Sequence, residues 1–250
     1  MIEQKFIDND NILEVIIQVL GQNSDEKTKL SGSKFFKEQI KLHGVKVSTV
    51  TKISKEYFEY IKNCDKNEIL SLCETLFSSG YLEEQFIACN WSYYLKNQYS
   101  MDDFITFERR LNQYVTNWAS CDTPCNHTIG TFIEMYPNFI QNIITWTKSN
   151  NRWLRRGAAV TLIIPARKGK FIDEIFQIAN NLFSDKEDLV QKGYGWMLKA
   201  ASESHEKEVF EYVIKNKSNM PRTALRYSIE KMSKELKEEV EKINLLYIKT

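Results

Sequence analysis

The segment Trp153-Leu-Arg-Arg-Gly-Ala-Ala-Val-Thr-Leu162 returns in outline as Leu189-Val-Gln-Lys-Gly-Tyr-Gly-Trp-Met-Leu198. At an offset of 36 positions Leu154 matches Val190, Arg156 matches Lys192, Gly157 matches Gly193 and Leu162 matches Leu198. Each copy sits in a helical pattern and is followed by further helix and a polar break. Apolar residues elsewhere keep the same spacing of three and four, as in Phe104, Phe107, Leu111 and Tyr114, in Phe171, Ile175, Ile178 and Leu182, and in Leu236, Val240, Ile243 and Tyr247. That spacing builds one apolar stripe per helix, and no sustained alternation of period two or Asn-Gly hairpin turn competes with it. The four prolines, Pro124, Pro137, Pro165 and Pro221, fall where helices are expected to begin or end. Polar joints such as Ser149-Asn150-Asn151 and Ser184-Asp185-Lys186 separate the helices, so the spacing predicts about a dozen short-looped helices.

A period in the high thirties made of paired helices is that of HEAT-like repeats, which stack into a curved solenoid. The expected architecture is therefore an all-α, HEAT-like superhelix, read as one domain over 1–250. Degenerate copies are expected over 84–96 and 222–232. The alignment also sorts the faces of the second copy. Lys192, Trp196 and Lys199 lie at i, i+4 and i+7 on one side, while Val190, Gly193 and Met197 lie on another, which reads as the packing side. As the equivalent of Lys192, Arg156 is expected on the same ladder one repeat away, so that Arg156, Lys192 and Trp196 line one basic, concave surface.

Charge supports that surface locally. The net charge is only +1, yet between Lys148 and Lys170 there are Lys148, Arg152, Arg155, Arg156, Arg167, Lys168 and Lys170 and no acid. A near-neutral chain with such a stripe can hold a phosphate backbone, although an isolated run is as often a solvated patch. The five cysteines are odd in number and lie in apolar patterns, which fits buried thiols in a reducing cytoplasm. No stretch is long and apolar enough to span a membrane. The opening Met1-Ile-Glu-Gln-Lys-Phe-Ile-Asp8 carries charges inside its apolar run, unlike a signal peptide.

Four blocks in order resemble a known family. They are His43-Gly-Val-Lys46, Asn117-Trp-Ala-Ser-Cys-Asp122, Asn150-Asn-Arg-Trp-Leu-Arg-Arg-Gly-Ala-Ala-Val160 with its repeat Val190–Lys199, and Arg222-Thr-Ala-Leu-Arg-Tyr-Ser-Ile-Glu-Lys231. Together, over residues 30 to 235, they resemble the DNA alkylation repair glycosylases of the HEAT-like type, the alkylpurine DNA glycosylase D kind. The resemblance implies a monofunctional glycosylase that removes cationic N3- or N7-alkylated purines from duplex DNA held in the concave groove. Residue by residue it implies that Asp122 is the catalytic carboxylate, that Trp118 and Trp196 are aromatic walls facing the damaged nucleotide's sugar, and that Arg156 supports the site and the phosphate. Arg152, Arg155, Lys192 and Lys199 are then candidate DNA-backbone contacts. Relatives often have a tyrosine on the first long helix where this chain has Phe35 or Phe36. The expected setting is a cytoplasmic monomer, associated with the nucleoid if the source is prokaryotic.

The chemistry is consistent with those residues. Breaking an N-glycosidic bond develops positive charge on the sugar, which one carboxylate can stabilise. An N3- or N7-alkylated purine already carries positive charge and leaves as a neutral base, so no general acid is required. Asp122-Thr123-Pro124 reads as a helix start, where exposed N–H groups favour a carboxylate; taken alone, Asp122 reads more simply as an N-cap. Trp91, Trp118, Trp146 and Trp153 each read singly as core residues, whereas Trp196 has lysines at i−4 and i+3. Arg155 and Arg156 point about 100° apart, so one at most faces the groove. Cys121-x-x-x-Cys125-x-His127 lacks a second ligand pair and is not expected to hold a metal. His43 and His205 lie in joints, with no partner suggested. No cofactor is expected, and no phosphate loop or nucleophile elbow is present. Two alternatives remain: a catalytically inactive family member binding branched or distorted DNA, and a HEAT-type scaffold binding an acidic protein.

Overall fold

The computed structural model describes residues 11–247, with side chains through residue 240. The Met1–Asp8 segment and the side chains of Ile243 and Tyr247 lie outside the described residues. Among the described residues all regular structure is helical, and one isolated bridge joins Lys41 and Tyr81. Among the described residues no helix is long and apolar enough to cross a membrane. Contacts gather into two compact units, residues up to Pro124 and residues from Cys125.

The first unit contains α1 (Ile12–Gln22), α2 (Glu26–Ser33), α3 (Val47–Ile61), α4 (Lys66–Ser78), α5 (Leu82–Tyr94), α6 (Asp103–Tyr114) and α7 (Trp118–Pro124). Their packing is layered: α1 on α3, α3 on α5 and α5 on α7, with α4 pairing with α5 and with α6. Helix α1 shows the sequence logic, since Ile12, Ile16 and Leu20, one turn apart, are fully buried. The side chains of Asp25 and Asp65 accept backbone N–H bonds at the starts of α2 and α4. The expected long first helix bearing Phe35 or Phe36 is not formed. Helix α2 stops at Ser33, has no buried residue, and leaves both phenylalanines in the connection that follows. Without an apolar stripe to bury, that segment gains nothing from continuing as helix.

The second unit contains α8 (Gly130–Met135), α9 (Ile140–Trp146), α10 (Arg152–Val160), α11 (Ile163–Arg167), α12 (Ile172–Leu182), α13 (Asp188–Ala201), α14 (Glu206–Asn216), α15 (Arg222–Ser228) and α16 (Lys234–Tyr247). Here α10 packs on α13 and α13 on α15, while α9 packs on α12. The two aligned segments are thus successive members of one stack, and the degenerate copy at 222–232 supplies the third. The close approach of α13 to α15 depends on Gly195. A Cβ there would lie 2.7 Å from Tyr227 Cβ and 2.8 Å from the Ala224 carbonyl oxygen.

The 36-residue offset is written into the polar bonds as well. Tyr212 donates to the Phe176 carbonyl and Ser204 to the Arg167 carbonyl, 36 and 37 residues apart. In the first unit Trp91 Nε1 donates to the Ser54 carbonyl and Lys66 to Asp103, each spanning 37 residues. Each such bond ties equivalent places in consecutive hairpins, as nearest-neighbour stacking requires.

Candidate functional site

Helix α7 begins at Trp118 because Asn117, buried at 3% exposure, accepts the Ser120 N–H on Oδ1 at 2.9 Å and the Cys121 N–H on its carbonyl at 3.1 Å. Asp122 is therefore in the helix interior. The expected helix start at Thr123-Pro124 is corrected: Pro124 is the last residue of α7 and is followed by a π-helical turn, Cys125–Ile129. The backbone absorbs the missing proline N–H in that wider turn, and Thr123 Oγ1 donates back to the Ala119 carbonyl at 2.9 Å. Exposed N–H groups of a first turn do not explain the Asp122 environment. Asp122 is 8% exposed, while Trp118, one turn earlier on the same face, is half-buried.

Trp118 is held from outside its own helix. Its ring stacks on Phe36 with centroids 5.3 Å apart and planes 17° apart, and its Nε1 makes a long 3.5 Å contact with the Phe35 carbonyl. Leu42, Leu82 and Ala119 form the buried cluster beneath it, with Phe36, Ile40 and Phe86 packed around. A cavity of about 320 Å³ opens beside Trp118, walled by Phe35, Phe36, Val47, Leu82 and Phe86.

The turn His43-Gly-Val-Lys46 lines the same cavity through Gly44, Val45 and Lys46. Glu83, at 3% exposure, fixes it by accepting the backbone N–H groups of His43, Gly44 and Val45 at 3.0, 2.8 and 3.0 Å. Three backbone donors satisfy a buried carboxylate that would otherwise be costly. His43 Nε2 meets Glu84 at 2.6 Å, and its ring stacks on Tyr81 at 4.2 Å. Gly44 has a φ of 92°, and a Cβ there would lie 2.8 Å from the Asp25 carbonyl oxygen. No spacing rule in the sequence points from Glu83 and Glu84 back to residue 43.

In the second unit α13 exposes the expected face. Lys192, Trp196 and Lys199 are half-exposed, while Val190, Gly193 and Met197 are buried. Trp91, Trp146 and Trp153 are core residues. Arg156 does not stand on the exposed ladder with Lys192. It is 5% exposed, its stem lies over Gly193, and its guanidinium donates to the Leu189 carbonyl. The missing side chain of Gly193 leaves the space that the arginine fills between α10 and α13.

The acid-free run is not acid-free in space. Arg152 meets Glu187 at 3.3 Å and lies over the Trp153 ring. Arg155 binds Asp185 at 2.6 Å and the carbonyls of Ser149 and Asn150. Arg167 meets Glu203, while Lys168 and Lys170 share Glu134. Burial tends to raise the Glu134 pKa, but hydrogen bonds and charge from the two lysines outweigh it and hold it below the usual range. Lys192 pairs with Asp188, and Lys199 with Glu230. Most of these acids come from a neighbouring hairpin, so the sequence window does not contain them. His205 likewise has partners, the Gly169 carbonyl and Glu208. Cys121 and Cys125 are fully buried thiols, and no group of three or more His, Cys, Asp or Glu is arranged for a metal among the described residues.

No curated protein matches this chain. It is similar in fold to a solved structure described as a predicted DNA alkylation repair enzyme from Enterococcus faecalis, with a TM-score of 0.76 and 18% identity over 85% of this chain and 98% of that one. Residues 16–232 match the family described as DNA alkylation repair enzyme, and with most of its length matched the chain belongs to that family.

Proposed function

We propose that this protein is a monofunctional DNA glycosylase that hydrolyses the N-glycosidic bond of cationic N3- and N7-alkylated purines in duplex DNA. The observation that carries the reading is Asp122: a carboxylate held at 8% exposure, one turn beyond a ring-stacked Trp118, in a chain of the alkylation repair family. In this reading Asp122 stabilises the oxocarbenium that forms on the sugar and orients the attacking water. Trp118 and Trp196 contact the damaged nucleotide's sugar, and Arg156 supports the phosphate. Arg152, Arg155, Lys192 and Lys199 contact the DNA backbone, exchanging their intramolecular carboxylates for phosphates. The positive charge of the lesion makes the base a good leaving group, so neither a protonated acid nor a cofactor takes part. The protein acts as a monomer in the cytoplasm.

The test is incubation with duplex DNA carrying 7-methylguanine or 3-methyladenine, with chromatographic detection of the free base. Release well above the spontaneous rate is expected. If release stays at the spontaneous rate while duplex binding persists, the protein is a silent binder of distorted DNA.

A further inference from the structure

Among the described residues Phe171 is the one non-glycine residue with a positive φ, 64°. An aromatic side chain disfavours that left-handed region, so its surroundings must hold the backbone there. Gly169, two residues earlier, has a φ of 72°. Phe171 then opens α12, its carbonyl accepting the Ile175 N–H at 2.9 Å. This turn, residues 167–171, is gripped from two sides. Glu134 of α8 takes Lys168 at 2.7 Å and Lys170 at 2.9 Å. From the connection between α13 and α14, Ser204 donates to the Arg167 carbonyl at 2.6 Å and His205 Nε2 meets the Gly169 carbonyl at 3.1 Å. A Cβ on Gly169 would lie 3.3 Å from that same Nε2, so the imidazole closes directly on the turn.

Both ring nitrogens of His205 face acceptors. Nε2 faces the Gly169 carbonyl oxygen, and Nδ1 faces Glu208 Oε1 at 3.3 Å. A neutral imidazole carries one N–H and one lone pair, so it satisfies one of these oxygens and sets its lone pair against the other. Only the imidazolium donates to both. The Glu208 carboxyl lies below its usual range, held there by its own backbone N–H first and by His205 next. The His205 pKa rises above the ordinary 6.5, through the Gly169 carbonyl first and Glu208 next, against an opposing effect of burial. The cations nearby have other partners: Arg167 meets Glu203, Lys168 and Lys170 meet Glu134, and Lys207 reaches Glu211 at 3.9 Å. Asp173 and Glu174 begin α12 beyond the turn. The N-terminal end of α14 opposes a cation at His205, and Glu206 and Glu208 in its first turn offset that opposition.

We infer that protonated His205 is a pH-gated clasp that locks the strained turn 167–171 to the next hairpin of the second unit. Loss of either ring proton turns one of its two bonds into a repulsion between lone pairs. The folded chain favours the charged ring, so the clasp is complete below the ordinary histidine titration and is lost as pH rises through the raised one. Its opening frees Gly169 and Phe171, and with them the start of α12, to leave their left-handed conformations. The device involves no DNA and stands whether or not the chain releases bases.

The experiment uses the full chain without DNA. An NMR titration follows the imidazoles of the three histidines. Amide hydrogen exchange, corrected for its intrinsic pH dependence, is mapped over the turn at about pH 6 and about pH 8. His205, assigned from its loss in His205→Gln, should titrate above 6.5, whereas His127, whose pKa burial lowers, should titrate below it. Protection of the turn should fall roughly threefold to tenfold between the two pH values, while that of buried α13 amides stays level. Glu208→Gln should lower the His205 titration and the pH at which the turn loosens by the same amount. His205→Gln keeps a donor for the Gly169 carbonyl but no charge, so its turn should exchange at the parent's high-pH rate throughout. A His205 titration at or below 6.5, or a parent turn whose protection ignores pH, overturns the clasp. Both readings come from the parent alone, so a variant that fails to fold does not obscure them. A titration unmoved in folded Glu208→Gln also overturns it, because the second acceptor would then play no part.

Discussion

At the scale of single residues, Asp122 separates chemistry from architecture. Asp122→Asn keeps size and hydrogen-bonding capacity while removing the charge that, in the proposed mechanism, faces the developing oxocarbenium. Losing a preorganised electrostatic partner costs about 10²–10³-fold in rate. Base release should fall by that factor while affinity for lesion-bearing duplex stays within a few-fold of the parent. Equal release rates would reduce Asp122 to a structural carboxylate. Trp-x-x-x-Asp and the accompanying blocks single out Asp122 as the proposed carboxylate, but they do not reveal its setting. Pro124 suggests a helix start by its usual preference, and nothing local reveals that Asn117 has already capped the helix or that a π-turn takes up the proline. The partners of His43 were equally hidden, because Glu83 and Glu84 lie forty residues along the chain. Arg156 shows a third limit: a helical wheel assigns a direction, whereas the empty volume at Gly193 decides where the side chain goes.

Elements were more legible, because helix stacking leaves a periodic trace. The Gly157 and Gly193 alignment identified α10 and α13 as neighbours, and the spacing of Lys192, Trp196 and Lys199 identified the exposed face of α13. Gly195, unremarked in that alignment, sets the approach of α13 to α15. Gly195→Ala should destabilise the protein by about 1–3 kcal/mol, since the contacts are with backbone and Cβ atoms that cannot swing aside. Gly21→Ala in α1, where a Cβ meets nothing within 4 Å, should be neutral or stabilising by up to about 1 kcal/mol. Thermal unfolding of the two variants measures the contrast, and equal midpoints would mean that α13 and α15 move apart at little cost. The join of α4 to α6 adds a pH-dependent element. Burial tends to raise the Glu74 pKa, but hydrogen bonds from Arg109, Arg110 and Tyr114 and the Arg110 charge outweigh it, lowering it from 4.5 to about 2. Glu74 is thus a stronger acid folded than unfolded, so the unfolded chain takes up the proton first as pH falls. Its stabilising contribution is complete above about pH 5 and is lost as pH drops towards about 2. Urea unfolding at about pH 6 and about pH 3 should show Glu74→Gln less stable than the parent at the higher pH and closer to it at the lower. A constant gap between them would mean the carboxylate charge is not what holds α4 to α6.

For the whole molecule, charge has to be counted by partner and not by position. The 148–170 window misleads: ion pairs to neighbouring hairpins cover much of it. Sequence distance hides this because stacked hairpins bring together residues about 36 apart, beyond any local charge window. The proposed chemistry then makes a demand on the molecule's substrate range. If Asp122 acts by electrostatics and no side chain protonates the departing base, the lesion must bring its own positive charge. Release should therefore follow leaving-group quality across lesions. 3-Methyladenine and 7-methylguanine should be excised, and uncharged lesions such as uracil or O6-methylguanine in the same sequence should not. The same logic fixes the alkaline side of the pH profile. An enzyme that relies on a general acid loses activity as that acid deprotonates, whereas this one should hold its rate above neutrality until the duplex or the fold is affected. Single-turnover excision across a pH series, with the spontaneous rate subtracted, reads this directly. An alkaline fall in rate with intact folding and binding would show that a proton donor takes part, and excision of an uncharged lesion would show that selection rests on the shape of the site and not on the chemistry of the leaving base.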